Sequence, residues 1–376
     1  MRILLFILLS SWSLQAQVLT EDTNLDVTLS WSQFPNGYTY PVSIIIPEGE
    51  IPDNGFPACI LLHGNGGNGA QMAQSFSEVL ECHILIAPTG YANSWSICNE
   101  ESTAPDVDMV SQLVDLLKGF DNVDETRIRL LGGSNGSGLV NNIFIQNDDP
   151  AIDRVCGFVS QLNEPQYHEN AFNYPTDEPL PAADFCGYEN TKTPLTGRKY
   201  LSICSDNDNL IPFAGGPSPV GVSFLPAELA IYLIAQSQGY TGDALPPGGV
   251  PVGSPLIFDY VYLDGDVILV RGNANHGLNS SQRTYIKYFF EDCSTEVSTT
   301  TIPVKSSIFY PNPCSDILYL NAPISEQSSF IIFDLNGRVV HRGQVQVGVQ
   351  TIHLDFQGKG VYWIQLGELN QKIIKL

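Results

Sequence analysis

Arg127-Ile128-Arg129-Leu130-Leu131 runs straight into Gly132-Gly133-Ser134-Asn135-Gly136-Ser137-Gly138, and then into Leu139-Val140-Asn141-Asn142-Ile143-Phe144-Ile145. An apolar strand, a glycine-rich turn and an apolar segment follow one another here. Gly132, Ser134 and Gly136 form G-x-S-x-G in that setting. The pattern predicts a turn so tight that the serine's neighbours must lack side chains, which lifts the hydroxyl above the end of a sheet. A serine hydroxyl is a weak nucleophile without a base, and the base needs a carboxylate to fix its tautomer. The fold that carries this turn supplies them in the order serine, acid, histidine.

Working outward, the flanking sequence alternates between short apolar strands and helical periods. Strands are expected at Ala58 to Leu62, His83 to Ala87, Arg127 to Leu131, Val155 to Ser160, Lys199 to Cys204 and Val267 to Arg271. Helices are expected at Ala70 to Leu80, Asp106 to Phe120, Pro226 to Gln238 and Ser281 to Glu291. Such alternation implies an α/β domain with a doubly wound, mainly parallel sheet. Ahead of it, Asp26 to Gln33 and Tyr38 to Ile46 read as a hairpin turning at Phe34-Pro35-Asn36-Gly37.

Downstream of Ser134 the candidate bases in this domain are His168 and His276. His276, in Asn273-Ala274-Asn275-His276-Gly277, follows a strand and precedes the last helix, where a loop histidine can reach the sheet edge. His168 comes too early to follow an acid and reads as a surface residue. For the acid, the strand Lys199 to Cys204 ends in Ser205-Asp206-Asn207-Asp208-Asn209, and chain order does not separate Asp206 from Asp208. The developing oxyanion needs preorganised donors, the N–H after the serine and one from an earlier loop. Asn135 supplies the first. Leu62-His63-Gly64-Asn65-Gly66-Gly67-Asn68-Gly69 follows a strand, so Asn65 or Gly66 is expected to supply the second. The same loop spells G-x-G-x-x-G, a dinucleotide-binding motif; that reading leaves the ordered Ser, Asp and His unexplained.

The ends of the chain define its organisation. Met1-Arg2, the seven apolar residues Ile3 to Leu9, and a small-residue finish at Ala16 form a signal peptide over residues 1–16, far short of the roughly 20 residues of a membrane span. The catalytic domain is expected over 17–293. Ser294 to Thr301 is a Ser/Thr-rich linker, taken as 294–304. From 305 to 376, short strand-like runs separated by turns predict a small all-β sandwich. The 376 residues carry 17 Lys plus Arg against 40 Asp plus Glu, a formal charge of −23 that disfavours nucleic acid as a partner. In an exported chain the eight cysteines can pair, although Cys59 and Cys204, inside apolar runs, suit buried free thiols equally well. No C-x-x-C exists, so no metal site is expected.

Together, Leu62-His63-Gly64, Asp106-Val107-Asp108-Met109-Val110, Ser134-Asn135-Gly136 and Asp208-Asn209-Leu210-Ile211-Pro212 resemble secreted feruloyl esterases, acetylxylan esterases and polyhydroxybutyrate depolymerases of the α/β-hydrolase fold. The resemblance spans roughly residues 35 to 293. It implies Asp208 rather than Asp206 as the acid, because the family's aspartate stands four residues before a proline. It implies a serine carboxylic ester hydrolase with no cofactor, acting on polymeric or small esters. Asn65 departs from the cysteine common after His-Gly, and Ser137 from the usual glycine. In the C-terminal region, Phe309-Tyr310-Pro311-Asn312-Pro313, Phe333-Asp334-Leu335-Asn336-Gly337 and the closing Lys372 to Leu376 resemble the sorting domain read by the type IX secretion machinery. That resemblance implies a secreted or cell-surface protein; a carbohydrate-binding sandwich is the alternative there. A monomer is expected. The rival functions are a secreted serine peptidase of the same fold and a non-catalytic surface-binding protein. The stretches Pro165 to Gly197 and Gly242 to Ser254 are expected to form the substrate surface.

Overall fold

The computed structural model describes residues 17–252, 257–290, 309–310, 317–320, 328–334, 338–345, 350–354, 358, 360–366 and 369–375. The expected signal peptide (1–16) and linker (294–304) lie outside the described residues.

In chain order the first domain contains β1 (Thr28–Trp31), β2 (Phe34–Thr39), β3 (Val42–Ile45), β4 (Phe56–Leu62), α1 (Gly69–Phe76), β5 (Ile84–Pro88), α2 (Asp106–Leu117), β6 (Val123–Gly133), α3 (Asn135–Gln146) and β7 (Ile152–Phe158). It continues with β8 (Tyr167–His168), β9 (Ala171–Tyr174), β10 (Asn190–Thr191), β11 (Lys199–Ser205), β12 (Gly216–Pro217), β13 (Ser223–Phe224), α4 (Ala227–Ser237), β14 (Val250–Val252), β15 (Ile257–Tyr262), β16 (Val267–Gly272) and α5 (Ser280–Phe290).

Nine strands form one sheet in the order β14-β15-β16-β11-β7-β6-β4-β5-β3. The inner strands from β5 to β16 are parallel, while β3 and the β15–β14 pair run antiparallel at the two edges. The inner strands are apolar throughout because both faces are covered: every residue of β4 and of β5 is buried. Alternate residues feed two separate cores. Ala58, Ile60 and Leu62 join the core formed with α2, α3 and α4, whereas Cys59 and Leu61 join the one formed with α1 and α5. This is the doubly wound α/β-hydrolase arrangement. The chain passes from β4 to β5 on one side and returns to β6 on the other, so the strand order reverses at β4. Ligand sites in such sheets lie beyond the C-terminal strand ends at that reversal, here beyond Leu62 and Gly133.

Two readings of the sequence are corrected. The N-terminal hairpin turns at Ser32-Gln33, with Trp31 opposite Phe34, and not at Asn36-Gly37. Pro35, Asn36 and Gly37 instead form an irregularity inside β2: Pro35 has no N–H to give the ladder, and Gly37 sits at φ 89°. Val42–Ile45 leaves the hairpin to become an edge of the main sheet. The antiparallel strand β15, Ile257-Phe258-Asp259-Tyr260-Val261-Tyr262, buried except at Phe258 and Val261, was not anticipated.

Among the described C-terminal residues, a three-stranded sheet joins β17 (Phe309–Tyr310), β18 (Ile317–Leu320) and β21 (Gln350–His353). A four-stranded sheet joins β20 (Val339–Val345), β19 (Ser328–Phe333), β22 (Gly360–Leu366) and β23 (Leu369–Lys375). Leu318 and Ile352 of the first share a buried cluster with Phe330, Ile332, Ile364 and Ile373 of the second, so this region is a small all-β sandwich with its own core.

Candidate active site

At the end of β6 the backbone turns through Ser134 at φ 52°, ψ −116° and enters α3 at Asn135. The turn leaves no room for side chains beside the serine. A Cβ on Gly132 would stand 2.2 Å from the Gly136 carbonyl oxygen, and one on Gly136 would stand 2.1 Å from that of Leu62. Held this way, the Ser134 hydroxyl meets His276 Nε2 at 2.8 Å. His276 Nδ1 in turn meets Asp208 Oδ2 at 2.8 Å. The Asp208 side chain is 1% exposed, and its Oδ1 accepts the N–H groups of Leu210 at 2.8 Å and Ile211 at 3.0 Å. The carboxylate is therefore fixed in the loop after β11 by three groups that leave it no other orientation. Asp206 faces elsewhere, accepting from Arg271 Nε at 2.7 Å. His168 stacks on Phe185 at 3.9 Å between ring centres, in a separate region of the fold.

The histidine loop follows β16 and is pinned to the acid loop by Asn207. Its amide nitrogen donates to Asn273 O at 2.9 Å and Asn275 Oδ1 at 2.7 Å, and its oxygen accepts the Asn275 N–H at 3.0 Å. Asn275 has φ 52°, a left-handed conformation that asparagine tolerates. Asn207 was missed in the sequence because both flanking residues are aspartates, which drew the reading to the acids.

The two anticipated oxyanion loops are joined by the segment Gly90 to Glu100. Gly66 N–H donates to Asn93 O at 2.8 Å, so that hydrogen is already committed. Among the described residues neither Asn65 N–H nor Asn135 N–H has an acceptor, and both residues line the cleft that contains Ser134. Asn135 also works through its side chain: its oxygen accepts Trp95 N–H at 2.7 Å, and its nitrogen donates to Trp95 O at 3.0 Å and Glu100 Oε1 at 2.9 Å. The Trp95 indole donates to His63 O at 2.7 Å. His63 Nε2 accepts Gly90 N–H at 3.1 Å, leaving Nδ1 to donate to Gly64 O at 2.8 Å. Burial lowers the His63 pKa, keeping this ring neutral in its bridging role. The turn at Ser134 and the loop from His63 to Gly66 are thereby one hydrogen-bonded unit.

Asp106, at the start of α2, anchors the same segment from below. Its oxygens accept Ser96 N–H at 2.8 Å and Tyr40 Oη–H at 3.3 Å. Burial pushes its pKa up to about 7, against smaller lowering by those two hydrogen bonds. Cys98 is disulfide-bonded to Cys186, tying the segment to a loop 88 residues away in sequence. Cys82 is disulfide-bonded as well, while Cys59, Cys156 and Cys204 are buried free thiols.

The cleft beside Ser134 is open to solvent and holds about 230 Å³. Its walls are Ile97 to Glu100 on one side and Ile211, Val220, Val222 and Phe224 on the other, with Ser160 and Asn163 between. Among the described residues, none of its lining comes from 165–197 or 242–254. The first stretch supports the cleft from behind, through Cys186, through Gln166 Nε2 donating to Gly138 O at 2.9 Å and through Tyr188 Oη–H donating to Ile97 O at 2.8 Å. Among the described residues no cluster of His, Cys, Asp or Glu has the arrangement of a metal site, and no helix is long and apolar enough to cross a membrane.

Comparison with known proteins bears on the C-terminal region. Residues 308–376 match the secretion system C-terminal sorting domain. The chain is thus an exported protein, secreted or held at the cell surface, and the match implies interaction with the secretion machinery. No curated protein matches the chain. Among solved structures, a carboxylesterase from Bacillus cereus is similar at 12% identity, covering 68% of this chain and 95% of that one with a TM-score of 0.42. An acetyl xylan esterase from Aspergillus awamori is similar at 11% identity, covering 66% and 93% with a TM-score of 0.43. A phospholipase/carboxylesterase from Dyadobacter fermentans is similar at 14% identity, covering 67% and 98% with a TM-score of 0.39. Likenesses this distant add nothing to the chemistry, and the fold stands on the chain's own strand order and turn.

Proposed function

We propose that this protein is an exported serine hydrolase that cleaves carboxylic esters through an acyl-enzyme on Ser134. The observation that carries the reading is the hydrogen-bonded chain from Ser134 Oγ through His276 to Asp208, each link 2.8 Å. Ser134 Oγ attacks the ester carbonyl carbon while its proton passes to His276 Nε2. Asp208 holds the Nδ1–H tautomer and stabilises the imidazolium. The carbonyl oxygen, now an anion, is met by the N–H groups of Asn135 and Asn65; Gly66 is displaced from this role by its bond to Asn93. His276 then gives its proton to the departing alkoxide, and the alcohol leaves. Water attacks the acyl-enzyme, its proton going to Nε2 and then back to Ser134 as the acid departs. Every bond and proton is balanced without a cofactor.

The favoured substrates are esters carried on extracellular polymers: acyl groups such as feruloyl or acetyl on a polysaccharide, or the backbone esters of a polyhydroxybutyrate-like or aromatic polyester. Export favours material too large to enter a cell, and the cleft offers apolar walls beside polar groups. The sandwich over 305–376 acts as a separate sorting unit behind the linker at 294–304, and the catalytic domain, over 17–293, folds without it.

Parallel kinetics on a p-nitrophenyl acyl ester and a peptide p-nitroanilide test the reaction class. Ester cleavage that disappears in Ser134→Ala, with no anilide cleavage, is expected. Preferential anilide cleavage moves the protein to the peptidases, and inactivity on both leaves a binding protein.

A further inference from the structure

The cleft that contains Ser134 is lined by neither His276 nor Asp208. In acyl transfer the histidine delivers its proton to the leaving oxygen, so the alcohol departs on the His276 side. The cleft on the other side therefore receives the acyl group.

Its two walls differ in how firmly they are held. Glu100 Oε2 accepts the N–H groups of Ile97 at 3.1 Å and Cys98 at 2.6 Å, Glu100 Oε1 accepts from Asn135, and Cys98 is disulfide-bonded to Cys186. That wall is braced in three directions. The facing wall is the turn between β12 and β13, strands of only two residues each, with Val220 45% exposed at its tip. Among the described residues one hydrogen bond joins the walls, from Asn99 Nδ2 to Gly221 O at 3.1 Å, beside the packing of Val222 against Cys98 and Cys186. Gly221 sits at φ +87°, and a Cβ there would stand 2.8 Å from Asn99 Nδ2, so the two residues meet closely only because one of them is glycine.

We propose that Asn99 is a specificity-determining residue: its bond to Gly221 ties the exposed-tipped wall to the braced one and limits the size of the acyl group the cleft admits. This rests on the ester-hydrolase reading above. A long acyl chain enters only by parting the two walls, which breaks the bond; a short one leaves it intact. The discrimination against long chains is then worth about one neutral hydrogen bond, roughly tenfold in relative rate.

The test measures kcat/KM on p-nitrophenyl acetate and octanoate for the full-length protein and for Asn99→Ala and Gly221→Ala, each checked for folding by circular dichroism. The first variant removes the donor and the second pushes it away. In both, the octanoate-to-acetate ratio is expected to rise about tenfold over the unaltered protein. A ratio that stays within twofold, or that rises in only one variant, overturns the role of the bond. An unaltered protein that cleaves neither ester overturns the hydrolase reading itself, and the role of the Asn99–Gly221 bond with it, before any variant is compared.

Discussion

Replacing Asp208 by asparagine alters a tautomer while leaving shape almost untouched. Asp208 Oδ1 accepts two backbone N–H groups, from Leu210 and Ile211, and only an oxygen can occupy that position. The introduced amide must keep its oxygen there, so its nitrogen is turned toward His276 Nδ1, where Oδ2 now lies 2.8 Å away. A donor at that point forces Nδ1 to accept, which puts the ring proton on Nε2, facing Ser134. The histidine then cannot take the serine's proton. Loss of the correct tautomer in a serine triad lowers kcat by about 10⁴-fold, close to 5.5 kcal/mol of barrier. Asp206→Asn removes only a pair with Arg271 whose side chains are 26% and 42% exposed, an interaction worth at most about 1 kcal/mol. Steady-state hydrolysis of a p-nitrophenyl ester compares the two, and histidine ¹⁵N NMR reports which nitrogen carries the proton. Asp208→Asn retaining more than a tenth of the activity, or Asp206→Asn proving the more damaging, would refute this reasoning.

Three further outcomes are expected. Gly136→Ala drives a methyl group into the Leu62 carbonyl oxygen, 2.1 Å from the new Cβ, so the turn must shift and activity should fall at least 100-fold, read by ester kinetics on protein shown to be folded. The raised pKa of Asp106, about 7 against an ordinary 3.8, means its stabilising contribution is whole below pH 4 and is lost as pH rises through 7; Asp106→Asn removes that titration, so urea denaturation from pH 5 to pH 8 should show the unaltered protein losing on the order of 2 kcal/mol relative to the variant. A chain ending at Val304 should keep its kcat on a soluble ester yet remain inside the cell envelope of its host, whereas continued export would point to a carbohydrate-binding role for the sandwich.

Much of this arrangement was legible in residue order, for physical reasons. The buried parallel strands announce themselves as apolar runs because both their faces are covered, and the turn at Ser134 because only glycine fits at Gly132 and Gly136. The hairpin was misplaced because Asn36-Gly37 is a turn signal wherever it occurs, and here a bulge uses the same backbone freedom. Side-chain bridges were invisible: nothing local tells that Asn135 reaches Trp95 and Glu100, 40 and 35 residues away, or that Asn207 clamps the histidine loop. The substrate surface was sought in 165–197 and 242–254 because those stretches are rich in turn residues. Among the described residues the cleft beside Ser134 is lined instead by Ile97 to Glu100 and the β12–β13 turn.

The central claim is that Ser134 is an activated nucleophile. Incubation with an alkyl fluorophosphonate, followed by peptide mass spectrometry, measures this directly. The account predicts one phosphonyl adduct per chain on the peptide containing Ser134, absent in Ser134→Ala and slowed in His276→Ala. An unlabelled protein, or an adduct on another residue, would contradict it.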